Sequence, residues 1–205
     1  MFLQYEIRMK YIPLLQTDHF RNSKQISDLF SELNTDGRTV SSAYILDTAG
    51  IKKNRPSLSL HQYAHRWFDT FVDAGCPHVG DVVDVLLAGA DIVVLRPGIW
   101  QEIDYRSIRD ISESKIYTWF DPLQEQQRKK DTTPLFSNGD GIIFYLDHLP
   151  SPLSFGIRDK IKSIVSSYST ENIVVFDPMK KHEKEWGLFG LETVIVDSSQ
   201  MVGSL

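Results

Sequence analysis

The sequence has very little cysteine and no long apolar run. Cys76 is the single cysteine, which excludes an intrachain disulfide and a cysteine-based metal cluster and is typical of a reducing compartment. No stretch reaches the length of about 20 apolar residues that a membrane-spanning helix needs. Residues 1–10 contain Glu6, Arg8 and Lys10 and lack the apolar segment of a signal peptide. We therefore expect a cytoplasmic protein that does not enter the membrane.

Basic charge is also scarce. The chain has 22 Lys and Arg against 27 Asp and Glu, a formal net charge of -5. Nucleic acids and anionic membranes both bind basic surfaces, so we expect neither as a partner. Walker A, dinucleotide-binding and HExxH motifs are absent, and no residue spacing predicts a metal site. The expected partner is a small-molecule substrate.

Eight short apolar runs are present, most of them followed by a helix-like segment. Runs that are apolar at nearly every position are typical of strands buried on both faces of a parallel sheet. From the second run onwards they end at intervals of 20 to 30 residues, the pattern of a repeated β/α unit. Eight units predict a single α/β domain over residues 1–205, a shortened (β/α)₈ barrel. The runs are 11–16, 43–47, 68–73, 91–96, 116–121, 141–147, 172–177 and 193–197.

The residue that closes each run is the most informative feature. Arg96 closes the fourth run, and aspartate closes six others. Because the carboxyl ends of parallel barrel strands meet at one rim, where barrel active sites are built, a polar site is predicted there. The six aspartates are Asp47, Asp73, Asp121, Asp147, Asp177 and Asp197.

Carboxylates crowded on one rim repel each other, which raises some pKa values and suits acid–base catalysis. We expect Asp121 and Asp47 to be the catalytic acid and base, with Asp73 and Asp147 supporting them. Mg²⁺ could bind the same oxygens, although no cofactor is expected to be required. The alternative is that each aspartate caps the next helix or closes a turn. That alternative suits Asp177 and Asp197 best, because long loops follow Asp47 and Asp121.

Substrate binding is expected at the same rim. Arg96 can hold an anion through two parallel hydrogen bonds. Cys76 is expected to be a small buried hydrophobe. His61, His65 and His182 lie in helix-like segments and are expected at the outer surface, whereas His19, His78 and His148 follow strands and could be catalytic. The predicted substrate-binding residues are Arg96, Gln16, Gly75, His78, Asp177 and Asp197.

The segments AYILDTAGIKKNRPSLSL and FVDAGCPHVGDVVDVLLAGADIVVLRPGIW resemble the histidine-biosynthesis ProFAR isomerase family. The resemblance implies a barrel with catalytic acids at the ends of the first and fifth strands. Asp121 matches the second acid, but Gln16 stands at the first position. The resemblance also places phosphate-binding glycines where this chain has Asp73, Asp177 and Asp197. We therefore expect no ProFAR isomerase activity and no diphosphorylated ligand.

The shortened barrel and the LD and VDAG motifs resemble the divergent isomerase-like proteins of methanogens and methylotrophs. That resemblance implies a role in making tetrahydromethanopterin. Two function classes follow from the sequence. One is a lyase or isomerase that acts on a small polar biosynthetic intermediate, and the other is a non-catalytic barrel that serves as a binding or scaffold subunit.

Self-association is predicted from two incomplete units. Residues 122–140 have no helical periodicity and eight residues follow Asp197, so helices five and eight are expected to be reduced or missing. Strand residues such as Val194 and Val196 would then be partly uncovered unless residues 1–7 or a second subunit covered them. Because exposed apolar area costs about 25 cal/mol per Å², an uncovered gap would destabilise a monomer. We therefore expect a homodimer. Light scattering at micromolar concentration tests this, and a species of 23.5 kDa would contradict it.

Overall fold

The computed structural model describes residues 9–35, 37–100, 103–123 and 139–202. Eight parallel strands pair in chain order, and β1 pairs with β8, which closes the barrel. The predicted (β/α)₈ fold is confirmed. The strands are β1 (Lys10–Gln16), β2 (Ser42–Leu46), β3 (Asp69–Asp73), β4 (Ile92–Leu95), β5 (Lys115–Phe120), β6 (Gly141–Tyr145), β7 (Ile173–Phe176) and β8 (Thr193–Asp197).

Helices connect most of the strands on the outside of the barrel. One short helix, α2, was not predicted from the sequence, because a loop was expected there. In the part of the chain that the structure describes, no helix combines the length and the apolar character needed to cross a membrane. The helices are α1 (Ser23–Leu33), α2 (Thr48–Lys53), α3 (Leu58–His65), α4 (Val79–Leu87), α5 (Tyr105–Ile111), α6 (Phe155–Val165), α7 (Glu183–Trp186) and α8 (Ser199–Val202).

The strands are buried on both faces, as their continuous apolar runs predict. Alternate side chains form an inner cluster that fills the barrel, and the others pack outwards against the helices. Inside, the rings of Phe71 and Tyr117 meet edge to face with centroids 5.5 Å apart, as do those of Tyr44 and Phe176 at 5.6 Å. Filled layers of this kind make the barrel interior a packed core, so a ligand site must lie at one of its ends.

The outer surface of β8 is covered. Val194 and Val196 are fully buried and pack in one cluster with Trp186 and Phe189. They are thus not uncovered in a single chain, and α7 and the turn after it contribute Trp186 and Phe189 to the cluster that contains them. Residues 1–7 and most of 122–140 lie outside the described residues, so the predicted cover and the missing fifth helix are not tested. The homodimer stays a prediction.

Gly141 begins β6 at a point where no side chain fits. A Cβ there would lie 2.5 Å from the carbonyl oxygen of Asn172 and 2.5 Å from the ring of Tyr117. We expect Gly141→Ala to lower the free energy of unfolding by about 2 kcal/mol, because a well-packed core resists added volume. Gly80→Ala in α4 is the control, since a Cβ there meets no atom within 4 Å. It should stabilise the protein by up to about 1 kcal/mol. Urea unfolding measures both, and equal stabilities would contradict the packing argument.

Candidate functional site at the carboxyl ends of the strands

A cavity of about 510 Å³ opens at the carboxyl ends of the strands, the end where barrel enzymes act. Its volume suits a small molecule. We call it the mouth cavity. Its polar lining comes from the end of β1, from α2 and from the residues at or beyond the ends of β4, β5, β6 and β8. These polar residues are Gln16, Thr48, Lys52, Arg96, Trp119, Tyr145, Asp147 and Asp197.

Arg96 is fixed by a fully buried carboxylate. Asp73 accepts hydrogen bonds from Nε and Nη2 of Arg96, the shortest 2.6 Å, and from the Tyr44 hydroxyl at 2.6 Å. The guanidinium also lies 4.4 Å from the ring centroid of Trp119. Burial would lower the pKa of Arg96, but the charge and hydrogen bonds of Asp73 outweigh it and raise the pKa. Asp73 therefore supports Arg96 and is not exposed to a substrate.

Tyr44 lies beneath this ion pair, inside the barrel. Burial, followed by the charge of Asp73, raises the pKa of Tyr44 well above its ordinary value. Its hydroxyl therefore stays protonated and continues to donate to Asp73 at any moderate pH. The Tyr44–Asp73–Arg96 chain connects the packed barrel interior to the mouth cavity, where Arg96 is partly exposed.

Asp47 is a structural residue. Its Oδ1 accepts from the backbone N–H groups of Ala49 and Gly50, at 3.2 and 3.1 Å, and so caps α2. Its Oδ2 accepts from the backbone of Ser57 at 2.5 Å and from Nε2 of His61 at 2.9 Å. The expectation that capping does not explain Asp47 is wrong, because residues 48–53, which were expected to form a loop, form a helix.

The low pKa of Asp47 argues against its predicted role as a catalytic base. Burial alone would raise the pKa of Asp47, but the hydrogen bonds from His61, Ser57 and Gly50 lower it to about 2. A fully buried carboxylate with such a low pKa is a poor proton acceptor. His61 is itself buried, on the inner face of α3. Its predicted outer-surface position is therefore wrong.

Asp121 pairs with a histidine beside the mouth cavity. It is mostly buried, accepts from the backbone N–H of Leu123 at 2.8 Å, and lies 3.3 Å from Nε2 of His148. The imidazole of His148 stacks on Tyr145, with ring centroids 4.7 Å apart and 14° between the planes. Tyr145 in turn lies 4.5 Å from Trp119. Asp121 does not line the mouth cavity itself, but this chain of contacts reaches its wall.

Three other aspartates divide between capping and the mouth cavity. Asp177 is fully buried and accepts from the backbone N–H groups of Lys181 and His182, and burial is the main cause of its raised pKa. Asp197 accepts from the backbone of Ser199 but also lines the cavity. Asp147 lines the cavity and lies 3.2 Å from the ammonium of Lys181. Crowding of carboxylates is thus not the main cause of the raised pKa of Asp177.

Gln16 is the one remaining predicted binding residue that lines the mouth cavity. Gly75 has a φ of +66°, and a Cβ there would lie 2.8 Å from Cα of Ile51. It therefore allows close contact with α2. His78 is exposed at the start of α4 and does not line the cavity. His182 was expected at the outer surface, but it is buried, with Nδ1 3.1 Å from Glu185, so that expectation is wrong.

Four polar residues of the mouth cavity, Thr48, Lys52, Trp119 and Tyr145, were not predicted from the sequence. Trp119 and Tyr145 each stand two residues before a strand-closing aspartate. Side chains two apart share one face of a strand, so this spacing could have placed both rings at the rim. Lys52 could have been found from the sequence DTAGIKKN, in which Asp47 and Asn54 are typical first and last residues of a short helix.

A search of the described residues finds no group of three or more His, Cys, Asp or Glu side chains that could hold a metal ion. At the rim the carboxylates are separated by their partners, because Asp47, Asp73 and Asp177 each bind different donors. The residues described do not provide an evident Mg²⁺ site.

Comparison with solved structures shows the same fold in several enzymes. Dihydrodipicolinate synthase from Agrobacterium tumefaciens has a TM-score of 0.58 and 15% identity, covering 96% of this chain and 72% of that one. Dihydropteroate synthase from Thermus thermophilus has a TM-score of 0.58 and 10% identity, covering 95% and 90%. N-acetylneuraminate lyase from Mycoplasma synoviae has a TM-score of 0.57 and 10% identity, covering 98% and 72%.

These likenesses show the barrel fold alone, because the sequence identities are low. No protein-family model matches the sequence, and no curated protein matches it with significant similarity. The structures named above are synthases and a lyase, so the resemblance to the ProFAR isomerase family is not confirmed by them.

Asp47→Asn tests the structural role of that carboxylate. We expect the free energy of unfolding to fall by about 2–4 kcal/mol, because a buried hydrogen bond with His61 and a helix cap are both weakened. The folded-state pKa, about 2, lies below the ordinary value of 3.8. The stabilisation is therefore complete above pH 3.8 and is lost as the pH falls through 2. Urea unfolding of both proteins from neutral pH down to the folded-state pKa should show their difference shrinking with acid.

The control for Asp47→Asn is Asp104→Asn. Asp104 also caps a helix, accepting from the backbone of Ser107 at 3.0 Å, but it is exposed. The free energy of unfolding should fall less in Asp104→Asn than in Asp47→Asn. Equal losses at the two caps, or a difference at Asp47 that does not change with pH, would show that the buried network is not what stabilises this loop.

Proposed function

We propose that this protein is a barrel enzyme of the lyase or isomerase type that acts on a small polar biosynthetic intermediate by acid–base chemistry. The observation that carries the proposal is the Asp121–His148 pair, which is stacked through Tyr145 onto the wall of the mouth cavity. The resemblance to the isomerase-like proteins of methanogens and methylotrophs supports an intermediate of tetrahydromethanopterin biosynthesis as the substrate. We propose a cytoplasmic enzyme without a required cofactor.

His148 takes the central role in this proposal. Nε2 of His148 lies 3.3 Å from Oδ1 of Asp121. Because a carboxylate can only accept, we propose the tautomer with the hydrogen on Nε2, which leaves Nδ1 to take up a proton. Asp121 was expected to be the acid itself. It is better suited to orient His148, because one of its oxygens already accepts from Leu123. A carboxylate that fixes the tautomer and the position of an imidazole is a common arrangement in acid–base catalysis.

Tyr145 and Asp147 complete the proposed machinery. Burial, followed by the charge of Asp147, raises the pKa of Tyr145, so its hydroxyl stays protonated and can donate to an oxyanion that forms during the reaction. Asp147 lines the cavity near His148 and can exchange a proton with a bound ligand or hold its cationic group. Arg96, fixed by Asp73, binds an anionic group of the substrate.

A non-catalytic barrel that serves as a binding or scaffold subunit is the second candidate. It is favoured by the number of rim carboxylates that serve the fold. Asp47, Asp73 and Asp177 are fully buried and bonded within the protein. The two candidates differ in one observable, because only the enzyme moves protons on a ligand.

Exchange of carbon-bound hydrogen in a ligand with the solvent tests whether the protein is an enzyme. The protein is incubated in D₂O with a library of small hydroxy, oxo and amino acids, and ¹H NMR detects the loss of carbon-bound hydrogen. We expect exchange with at least one compound and a decrease of about 100-fold or more in His148→Gln, the usual contribution of a general acid or base. Asp121→Asn should slow exchange and also change its pH profile, since Asp121 acts through His148.

His65→Gln is the matched control. His65 also pairs with a carboxylate, at 3.2 Å from Asp91, but on the outer surface of α3, and its substitution should leave exchange unchanged. If His148→Gln exchanged as fast as the unsubstituted protein, the proposed role of His148 would be wrong. If no compound exchanged, the binding or scaffold function would be favoured.

A further inference from the structure

We infer that the mouth cavity binds a small zwitterion, with an ammonium and a carboxylate separated by a short apolar segment. The inference rests on the proposed function only in using the same cavity. It comes from the arrangement of charges and rings around that cavity.

The cationic side of the mouth cavity lies above β2 to β4. Arg96 follows β4, and Lys52 lies on α2, which follows β2. Asp73 occupies Nε and Nη2 of Arg96. For Nη1 the structure gives no acceptor within the described residues, so this edge of the guanidinium is available to a ligand carboxylate. Arginine and lysine together can bind a carboxylate from two directions.

The anionic side lies across the barrel. Asp147 follows β6, and Asp197 ends β8. Because the strands pair in chain order around a closed barrel, β6 to β8 stand opposite β2 to β4. Oδ1 of Asp197 accepts from Ser199. Among the described residues, Oδ2 accepts from no donor. A ligand ammonium can therefore bind here while the carboxylate binds at Arg96.

The formal charges of the side chains that line the mouth cavity cancel. Lys52 and Arg96 supply two cations, and Asp147 and Asp197 supply two anions. A ligand with no net charge leaves that balance intact. A dianion would place its second charge against Asp147 or Asp197, where like charges repel in a partly desolvated site. The balance thus favours a zwitterion over a dicarboxylate or a phosphate monoester.

Aromatic rings line the wall of the mouth cavity between the two charged sides. Trp119, Tyr145 and Phe176 line the cavity on consecutive strands, and the centroid of Tyr145 lies 4.5 Å from that of Trp119 and 5.4 Å from that of Phe176. Leu14 and Leu46 add apolar surface. Such a wall packs against a short carbon chain, and ring faces attract an ammonium. It would not suit a ligand that is polar throughout.

A matched set of five-carbon probes tests the inference. The set is 5-aminopentanoate, pentanoate, pentylamine, glutarate and pentane-1,5-diamine, with inorganic phosphate added. Binding to the full chain is measured by the shift in melting temperature and by titration calorimetry at low salt. We expect 5-aminopentanoate to bind most tightly, because only it satisfies both sides of the mouth cavity.

Two variants separate the two ends of the ligand. Lys52→Gln and Asp197→Asn should each lower the affinity for 5-aminopentanoate by about two- to fivefold, as expected for a partly exposed ion pair. Asp197→Asn keeps an oxygen for Ser199, so the turn is retained. Lys52→Glu should shift the preference towards pentane-1,5-diamine. Lys53→Gln and Asp159→Asn, which change residues outside the cavity, are the controls and should bind 5-aminopentanoate unchanged.

The other outcomes contradict the inference. Equal binding of pentanoate and 5-aminopentanoate, with no effect of Asp197→Asn, would show a carboxylate site alone. Tightest binding of glutarate or phosphate would show an anion site. Binding of no probe would exclude a zwitterion site of this length. The proton-exchange experiment tests the proposed acid–base function independently. Failure of the binding experiments would therefore contradict the zwitterion site without contradicting that function.

Discussion

The partly buried ion pair between Asp73 and Arg96 is the interaction on which the site depends. The pair closes the top of the barrel core, with Tyr44 beneath it and Trp119 beside it. A guanidinium held along one edge by one carboxylate, through Nε and Nη2, has a fixed plane. Without Asp73 this largely buried cation would lose its counterion, an arrangement that proteins tolerate poorly. The ion pair therefore determines both where a ligand anion can bind and which edge of Arg96 it meets.

One residue type serves several different purposes around this rim. Asp47 and Asp177 accept from the backbone N–H groups that follow their strands, Asp73 holds a cation, and Asp121 pairs with His148. The common cause is the chain reversal that follows each strand, which exposes backbone donors that a short carboxylate can reach. A carboxylate oxygen is left for a ligand where the next segment does not bond to it, as at Asp147 and at Oδ2 of Asp197.

The sequence predicted the barrel well and its site only partly. Strands such as β4 and β7 are continuous apolar runs, and that pattern depends on burial alone, which a sequence records directly. The position of each aspartate at the rim followed from the same pattern. What each carboxylate does could not be predicted, because it depends on partners from other units of the barrel. Asp47 bonds to His61 and Ser57, and Asp73 bonds to Arg96, and no local pattern records such pairs.

The contact between α2 and the loop after β3 has a consequence for how a ligand would enter. A Cβ at Gly50 would collide with the carbonyl oxygen of Ala74, and one at Gly75 would lie 2.8 Å from Cα of Ile51. Two backbones in such close contact cannot slide past each other without steric clash. We therefore expect the short helix that carries Lys52 to keep its place on the rim when a ligand binds. A ligand would then meet a preorganised surface on this side and spend little of its binding free energy on ordering the protein.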